Sequence, residues 1–228
     1  MEKKYIVCDS GSLITLTSAC NTDLLYFFKN KFNVNFVIPS GVEDEVVTYP
    51  LGKGIKKYMQ SALRIKNAIN DGVITVLGIE QTAHDRDSIL TMGNNLFFAR
   101  GKSIKLLDLG ETEMLALAKE IGADTVMLDE RTMRMLIEAP FRLKEHMEEE
   151  LKVNIMVNRT NLNEFSNYAK GLLALRSSEL IILGYEHGFF DKFHGMEKQA
   201  LEAALYSARF SGCSISFNEI TGYLRWAK

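Results

Sequence analysis

Four acidic residues stand where the chain changes from one kind of element to another. Asp9 closes the apolar run Tyr5-Ile6-Val7-Cys8, and Asp129 closes Thr125-Val126-Met127-Leu128. Glu111 falls in the first turn of the helix that precedes the second of these runs, and Glu45 in the helix that follows Asn35-Phe36-Val37-Ile38. Short apolar runs rich in β-branched residues and bounded by turn residues read as buried parallel strands. In open α/β sheets functional groups collect at the carboxyl ends of strands, which is where Asp9 and Asp129 fall. If the sheet order brings these elements together, four carboxylates converge on one edge. Carboxylates a few ångströms apart repel one another unless one protonates or a cation binds. Such hard oxygen donors suit Mg²⁺ or Mn²⁺, which keep several waters and bind phosphate oxygens readily. A pair of these ions roughly 3.5–4 Å apart activates water and stabilises the leaving oxygen of a phosphodiester, with no need of a histidine or serine nucleophile.

Each acid also has a plainer role. Asp9 and Asp129 suit helix N-caps. Glu111 suits the positive end of its own helix. Glu45 belongs to the run Glu43-Asp44-Glu45, which reads equally as a solvated face. Spacing alone does not show that the four meet.

The elements that must position them alternate. Val73 to Leu77 reads as a third strand and Val153 to Val157 as a fifth. Helices are expected near Leu13 to Leu16, Leu24 to Phe28, Val42 to Val47 with Ser40 as N-cap, Gly54 to Ile69, Glu111 to Ile121 and Glu130 to Leu136. Leu107-Asp108-Leu109-Gly110 reads as a turn, and residues 80–105 as a helix around Ile89 to Phe98 between polar loops. From about residue 160 onward the pattern is mainly helical. Strands alternating with helices imply a three-layer α/β/α fold, with a central, mostly parallel sheet and a C-terminal helical extension.

A chain of 228 residues is one domain, or one domain with an extension. Its formal net charge of −2 excludes a broad basic surface, so any contact with nucleic acid is local or bridged by metal ions. Cys8, Cys20 and Cys213 lie far apart without a CxxC pair, which argues against a zinc ribbon or a disulfide framework. The N-terminal apolar run is too short for a signal peptide, and no run is long enough to span a membrane; the expected location is the cytoplasm.

Other features carry less chemistry. Lys53, Lys56, Lys57, Arg64 and Lys66 form either an RNA-facing strip or an ordinary solvated helix face. Arg131 and Arg134, beside the acidic edge, are the better phosphate contacts. Gly52-Lys53-Gly54 lacks the full phosphate-loop spacing. His187, Asp191 and His194 read as a surface turn anchored by phenylalanines. An aspartyl phosphatase built on Asp9 would require a second aspartate two residues on, where the chain has Gly11.

The blocks YIVCDSGSLITL, FVIPSGVEDEVV and LDLGETEMLALAKEIGADTVMLDERTMR resemble, in order, the conserved blocks of the PIN-domain ribonucleases, in the prokaryotic branch with Gly-Glu at the third acid. The resemblance covers roughly residues 4–138, and more loosely 153–157. It implies a PIN-like nuclease domain over 1–158, with 159–228 a helical extension packed on it. It further implies a metal-dependent (endo)ribonuclease whose Asp9, Glu45, Glu111 and Asp129 hold Mg²⁺ or Mn²⁺, with Glu43 the rival of Glu45. Ser10 would support the Asp9 carboxylate or the phosphate, and Arg131 would contact substrate. RNA is the implied substrate and a homodimer the implied assembly. Many members of the family are toxins partnered by an antitoxin protein, and others process RNA. The alternative is an inactive PIN-like module that binds RNA or protein. The length of the chain and the segment 80–105 depart from a minimal toxin.

Overall fold

Alternate residues of the central strands point into two separate apolar layers, as the two-residue strand period requires. Cys8, Phe36, Ile38 and Met127 pack on one side, and Val7, Val37 and Val126 on the other. A computed structural model describes residues 4–19, 21–78 and 83–227. Cys20, considered above, lies outside these residues.

Strand β1 (Lys4–Cys8) leads through α1 (Ser10–Ser18) and α2 (Asp23–Phe32) to β2 (Val34–Pro39). A helix then runs as α3 (Ser40–Glu43), a π-helical turn (Asp44–Thr48) and α4 (Tyr49–Lys53), followed by α5 (Lys56–Asn70) and β3 (Ile74–Leu77). Next come α6 (Ala83–Gly93), β4 (Phe97–Ala99), β5 (Lys102–Ser103), α7 (Leu109–Glu120) and β6 (Thr125–Met127). The chain continues through α8 (Arg131–Glu138), α9 (Pro140–Leu151), β7 (Ile155–Val157), α10 (Arg159–Tyr168) and β8 (Leu173–Leu175). It ends with α11 (Ser177–Glu186), a 3₁₀ turn (Asp191–Phe193), α12 (Glu197–Ser211) and α13 (Phe217–Trp226).

The central sheet has the order β3-β2-β1-β6-β8, and every neighbouring pair is parallel. Helices α1, α2, α5, α11 and α12 bury their apolar faces on one side, through residues such as Leu16, Leu25, Ile65, Ile181 and Leu205. On the other side α7 lies against the strands through Met114, Leu117 and Ala118, backed by α6 and α10. The expected three-layer α/β/α fold with a parallel sheet is therefore the one observed. Among the described residues no helix is long and apolar enough to cross a membrane.

Several local expectations are corrected. Residues 153–157 do not extend the central sheet: β7 pairs antiparallel with β4 in a small second sheet of order β5-β4-β7. The fifth central strand is β8, from the stretch expected to be helical. It is three residues long, too short to show a period in sequence. The helix expected around Ile89 to Phe98 ends at Gly93, and Phe97-Phe98-Ala99 turn into strand. Pro39, not Ser40, occupies the N-cap before α3, and no side chain caps that end.

The segment 83–107 has a positioning role. Asn94 Oδ1 accepts from the amides of Leu106 (2.7 Å) and Leu107 (2.9 Å), and its Nδ2 donates to the Leu107 carbonyl at 2.9 Å. This clamp sets the chain immediately before Asp108 and Glu111. A Cβ on Gly93, at the end of α6, would fall 2.2 Å from Leu107 Cδ1 and 2.9 Å from Cγ, and Leu107 is fully buried. Gly93→Ala is therefore expected to destabilise the protein by about 1–3 kcal/mol through overpacking, read as a lower urea midpoint with an unchanged slope.

Candidate functional site

The carboxyl edge of β1 and β6 is where helix N-termini and acids coincide. The Asp9 amide donates to the Met127 carbonyl at 2.9 Å, continuing the β1–β6 ladder. The buried Ser12 hydroxyl is shared between the carbonyls of Asp9 (2.9 Å) and Met127 (3.0 Å). Asp9 caps α1: its Oδ2 accepts from the Gly11 amide at 3.0 Å, and the Ser10 hydroxyl donates to its Oδ1 at 3.4 Å. A Cβ on Gly11 would lie 3.0 Å from that same Oδ2, so glycine gives the carboxylate room to fold back. Helix α7 opens with a capping box: Asp108 Oδ1 accepts from the Glu111 amide at 2.9 Å, and Glu111 Oε2 from the Asp108 amide at 2.8 Å. Glu130 caps α8 by accepting from the Met133 amide at 2.6 Å.

Asp129 does not cap the helix that follows it. Its carboxylate is buried and faces the N-terminus of α11, where Oδ1 accepts from the Ser177 amide (2.8 Å) and hydroxyl (2.8 Å). That hydroxyl also lies 2.7 Å from Oδ2. The Ser214 amide donates to the Asp129 carbonyl at 3.2 Å. Four helices, α1, α7, α8 and α11, thus turn first-turn amides toward acids of one edge, and their positive ends offset part of the negative charge.

The offset is incomplete. The Asp9 carboxyl is pushed up to about 6, first by burial and then by the charges of Glu45 and Asp108, against the lowering effect of the Gly11 and Ser10 amides. Glu111 rises to about 8 through burial and the charges of Asp108, Asp9 and Glu130. Glu45 enters from the π-helical turn, and its Oε2 lies 3.9 Å from where a Cβ on Gly110 would sit. The extra residue of a π turn changes which side chains of Glu43-Asp44-Glu45 face inward, and such turns are frequent at functional sites.

The structure therefore brings Asp9, Glu45 and Glu111 into one electrostatic group and adds Asp108 and Glu130, which sequence reasoning missed. The spacing Asp108-x-x-Glu111 was the legible signal, since it is a capping-box pattern. Asp129 lines the same cleft as Asp9 but is held by Ser177, a residue with no signal in sequence. Among the described residues, no three acidic, histidine or cysteine side chains stand close enough as placed to hold a metal ion. In donor chemistry the group nonetheless fits a hard divalent cation: it is made of carboxylate oxygens, and the charges pushing Asp9 and Glu111 up are carboxylates too.

Arg131 is exposed at the first position of α8. Arg134, weighed above as a phosphate contact, instead faces Glu138 (3.8 Å) and Glu179 (3.6 Å). His187 packs edge-on against Phe32 with centroids 4.9 Å apart, in keeping with an anchored turn. A cleft of about 460 Å³ opens beside the acids, lined among others by Asp9, Asp129, Glu130, Lys57, Tyr58 and Phe210.

Two outcomes follow from this geometry. Ser177→Ala removes the hydroxyl from a buried carboxylate and is expected to cost about 1–3 kcal/mol, measured by chemical denaturation. The second concerns pH in the absence of divalent ions. In the unfolded chain carboxyls titrate near about 4, whereas the folded protein holds these two protons to about 6 and about 8. Between those limits the folded state binds more protons, so stability falls as pH rises from about 4 to about 8 and then levels off. Melting temperatures in EDTA across that window should show the slope, and Asp9→Asn and Glu111→Gln should each flatten it.

Comparison with known proteins agrees with the geometry. A family model described as a PIN domain matches residues 5–139, a stretch that contains Asp9, Glu45, Asp108, Glu111, Asp129 and Glu130 but not Ser177 or Phe210. No curated protein and no solved structure matches the chain. PIN domains are generally nucleases and typically use divalent metals. With 135 of its 228 residues matched, a parallel sheet of the expected kind and acids gathered at its carboxyl edge, the chain belongs to the PIN-domain family.

Proposed function

We propose that the protein is a divalent-metal-dependent ribonuclease that hydrolyses RNA phosphodiester bonds at the edge formed by Asp9, Glu45, Glu111 and Asp129, with Mg²⁺ or Mn²⁺ as cofactor. The observation that carries this reading is the mutual repulsion of Asp9, Glu45, Asp108, Glu111 and Glu130. All of them but Glu45 are held there by helix caps, although burial and this proximity raise the carboxyls of Asp9 and Glu111. A bound divalent cation supplies a water of lowered pKa and positive charge against the phosphoryl oxygens.

The residues of the chain have distinct tasks in this reading. Asp9, Glu45 and Glu111 present oxygens to the cation, and the Gly11 and Asp108 amides orient two of those carboxylates. Asp129 is set rigidly by Ser177 and completes the wall opposite. Ser10 steadies Asp9, and Arg131, exposed at the start of α8, offers a guanidinium fork to a phosphate oxygen. The cleft gives the strand its path past the acids. The reading carries the partners that the resemblance implies: an RNA substrate, a second copy of the chain and, for a toxin, an antitoxin protein, acting in the cytoplasm.

One observation favours a second reading, an inactive module that binds RNA or protein: both oxygens of Asp129 already have a partner in Ser177. Incubating a mixed RNA panel with purified protein in Mn²⁺, Mg²⁺ or EDTA, beside Asp9→Asn and Asp129→Asn, separates the two. Metal-dependent cleavage that drops at least about a hundredfold in both variants is expected. Uncleaved RNA with well-folded wild type would sink the nuclease and leave the module.

A further inference from the structure

The cleft beside the acids has one wall that the matched family region does not supply. Phe210, near the end of α12, is 77% exposed, the highest value among the exposed large hydrophobic residues described. It lines the same cleft as Asp9 and Asp129. It is also backed rather than isolated: its ring stacks on Tyr206 with centroids 6.3 Å apart and meets Phe217 at 6.4 Å, and the Arg209 guanidinium lies 4.0 Å from the centre of the Phe217 ring. Across the cleft, α5 contributes Lys57 and Tyr58, with the Lys57 ammonium 5.0 Å from the centre of the Tyr58 ring. Aromatic faces alongside a cation, next to acids that would hold a phosphate-binding metal ion, form the combination that single-stranded nucleic acid uses: bases stack on rings while cations follow the backbone.

We infer that this wall is a stacking platform for unpaired bases of single-stranded RNA, with Phe210 and Tyr58 receiving bases that flank the phosphate at the acidic edge and Lys57 contacting the adjoining phosphate. The inference rests on the nucleic-acid reading of that edge. It goes further in giving a binding role to Phe210, outside 5–139, and to the facing Lys57 and Tyr58. Charge favours the same occupant. A chain of net charge −2 has little electrostatic surplus for holding RNA through phosphates alone, so affinity must come from elsewhere. Stacking supplies affinity without sequence preference. It is closed to duplex RNA, whose base faces are already covered by their neighbours.

The test is fluorescence anisotropy with a labelled single-stranded RNA and its duplex in EDTA, so that binding is read without turnover. Phe210→Ala is expected to weaken single-strand binding about fivefold or more, the equivalent of about 1 kcal/mol for one stacked base. Phe210→Trp should preserve it, and Lys57→Ala should reduce the salt dependence by about one phosphate contact. Because Phe210 is exposed, these variants should fold as wild type does, checked by circular dichroism. Single-strand affinities of Phe210→Ala and Tyr58→Ala within twofold of wild type would overturn the platform, as would duplex bound equally well and equally weakened. If those variants bind normally while Asp9→Asn still abolishes cleavage, only the platform falls. If Phe210→Ala loses binding but wild type cleaves nothing, the platform stands and the nuclease reading falls.

Discussion

Like charges forced together at the end of a sheet are the constraint around which this structure is arranged. A parallel sheet directs its strands' carboxyl ends, and hence the N-termini of the following helices, to a common edge. There the backbone supplies unpaired amides that favour negative side chains. Asp9, Asp108, Glu111 and Glu130 each satisfy such amides, and Asp129 satisfies that of Ser177. The acids are thus at once caps that stabilise individual helices and charges that destabilise one another. The carboxyls of Asp9 and Glu111 are raised first by burial, and the neighbouring charges push the same way against their capping amides. Capping alone would be served as well by neutral serine or asparagine at several of these positions. That the chain places acids at all of them is the physical reason to look for a cation.

Much of this was legible beforehand, for a definable reason. The strands ending at Asp9 and Asp129 are continuous apolar runs, and buried parallel strands leave that trace. Glu111 sits in the first turn of a helix whose period is unambiguous. The elements that went unread are those with little local signal. Strands β8 and β4 are three residues long and β5 two, each below the average strand of about 5–6 residues, and the π turn that carries Glu45 leaves no pattern in Glu43-Asp44-Glu45. Asp129 shows the same limit at the site itself. Its position at a strand end was readable, but the direction of its carboxylate depends on Ser177, which is distant in sequence and becomes a neighbour only through the fold.

The region after residue 159 is bound into the site rather than appended to it. β8 completes the sheet beside β6, and the first residue of α11 grips Asp129. The buried Arg176 guanidinium joins Glu179 (2.9 Å) to Glu219 (3.0 Å), tying the start of α11 to α13. Arg176 also donates to the Ser214 carbonyl at 3.4 Å, and the Ser214 amide returns to Asp129. A network of this kind passes the placement of one carboxylate through three separate segments. Phe210, between them, reaches the cleft because α12 is held in the same frame.

The contact between Asp129 and Ser177 also has a meaning in time. A ribosome delivers the chain from its N-terminus, so every acid of the edge has emerged before the residue that anchors Asp129 exists. Until Leu173-Ala174-Leu175 dock beside β6, that edge has its charges but neither its border strand nor its anchor. The emerging chain therefore passes through a stage with all its acids made and the edge unassembled. The sheet order, which draws its border strand from residues 173–175, thus sets assembly of the edge after all of its acids have been made.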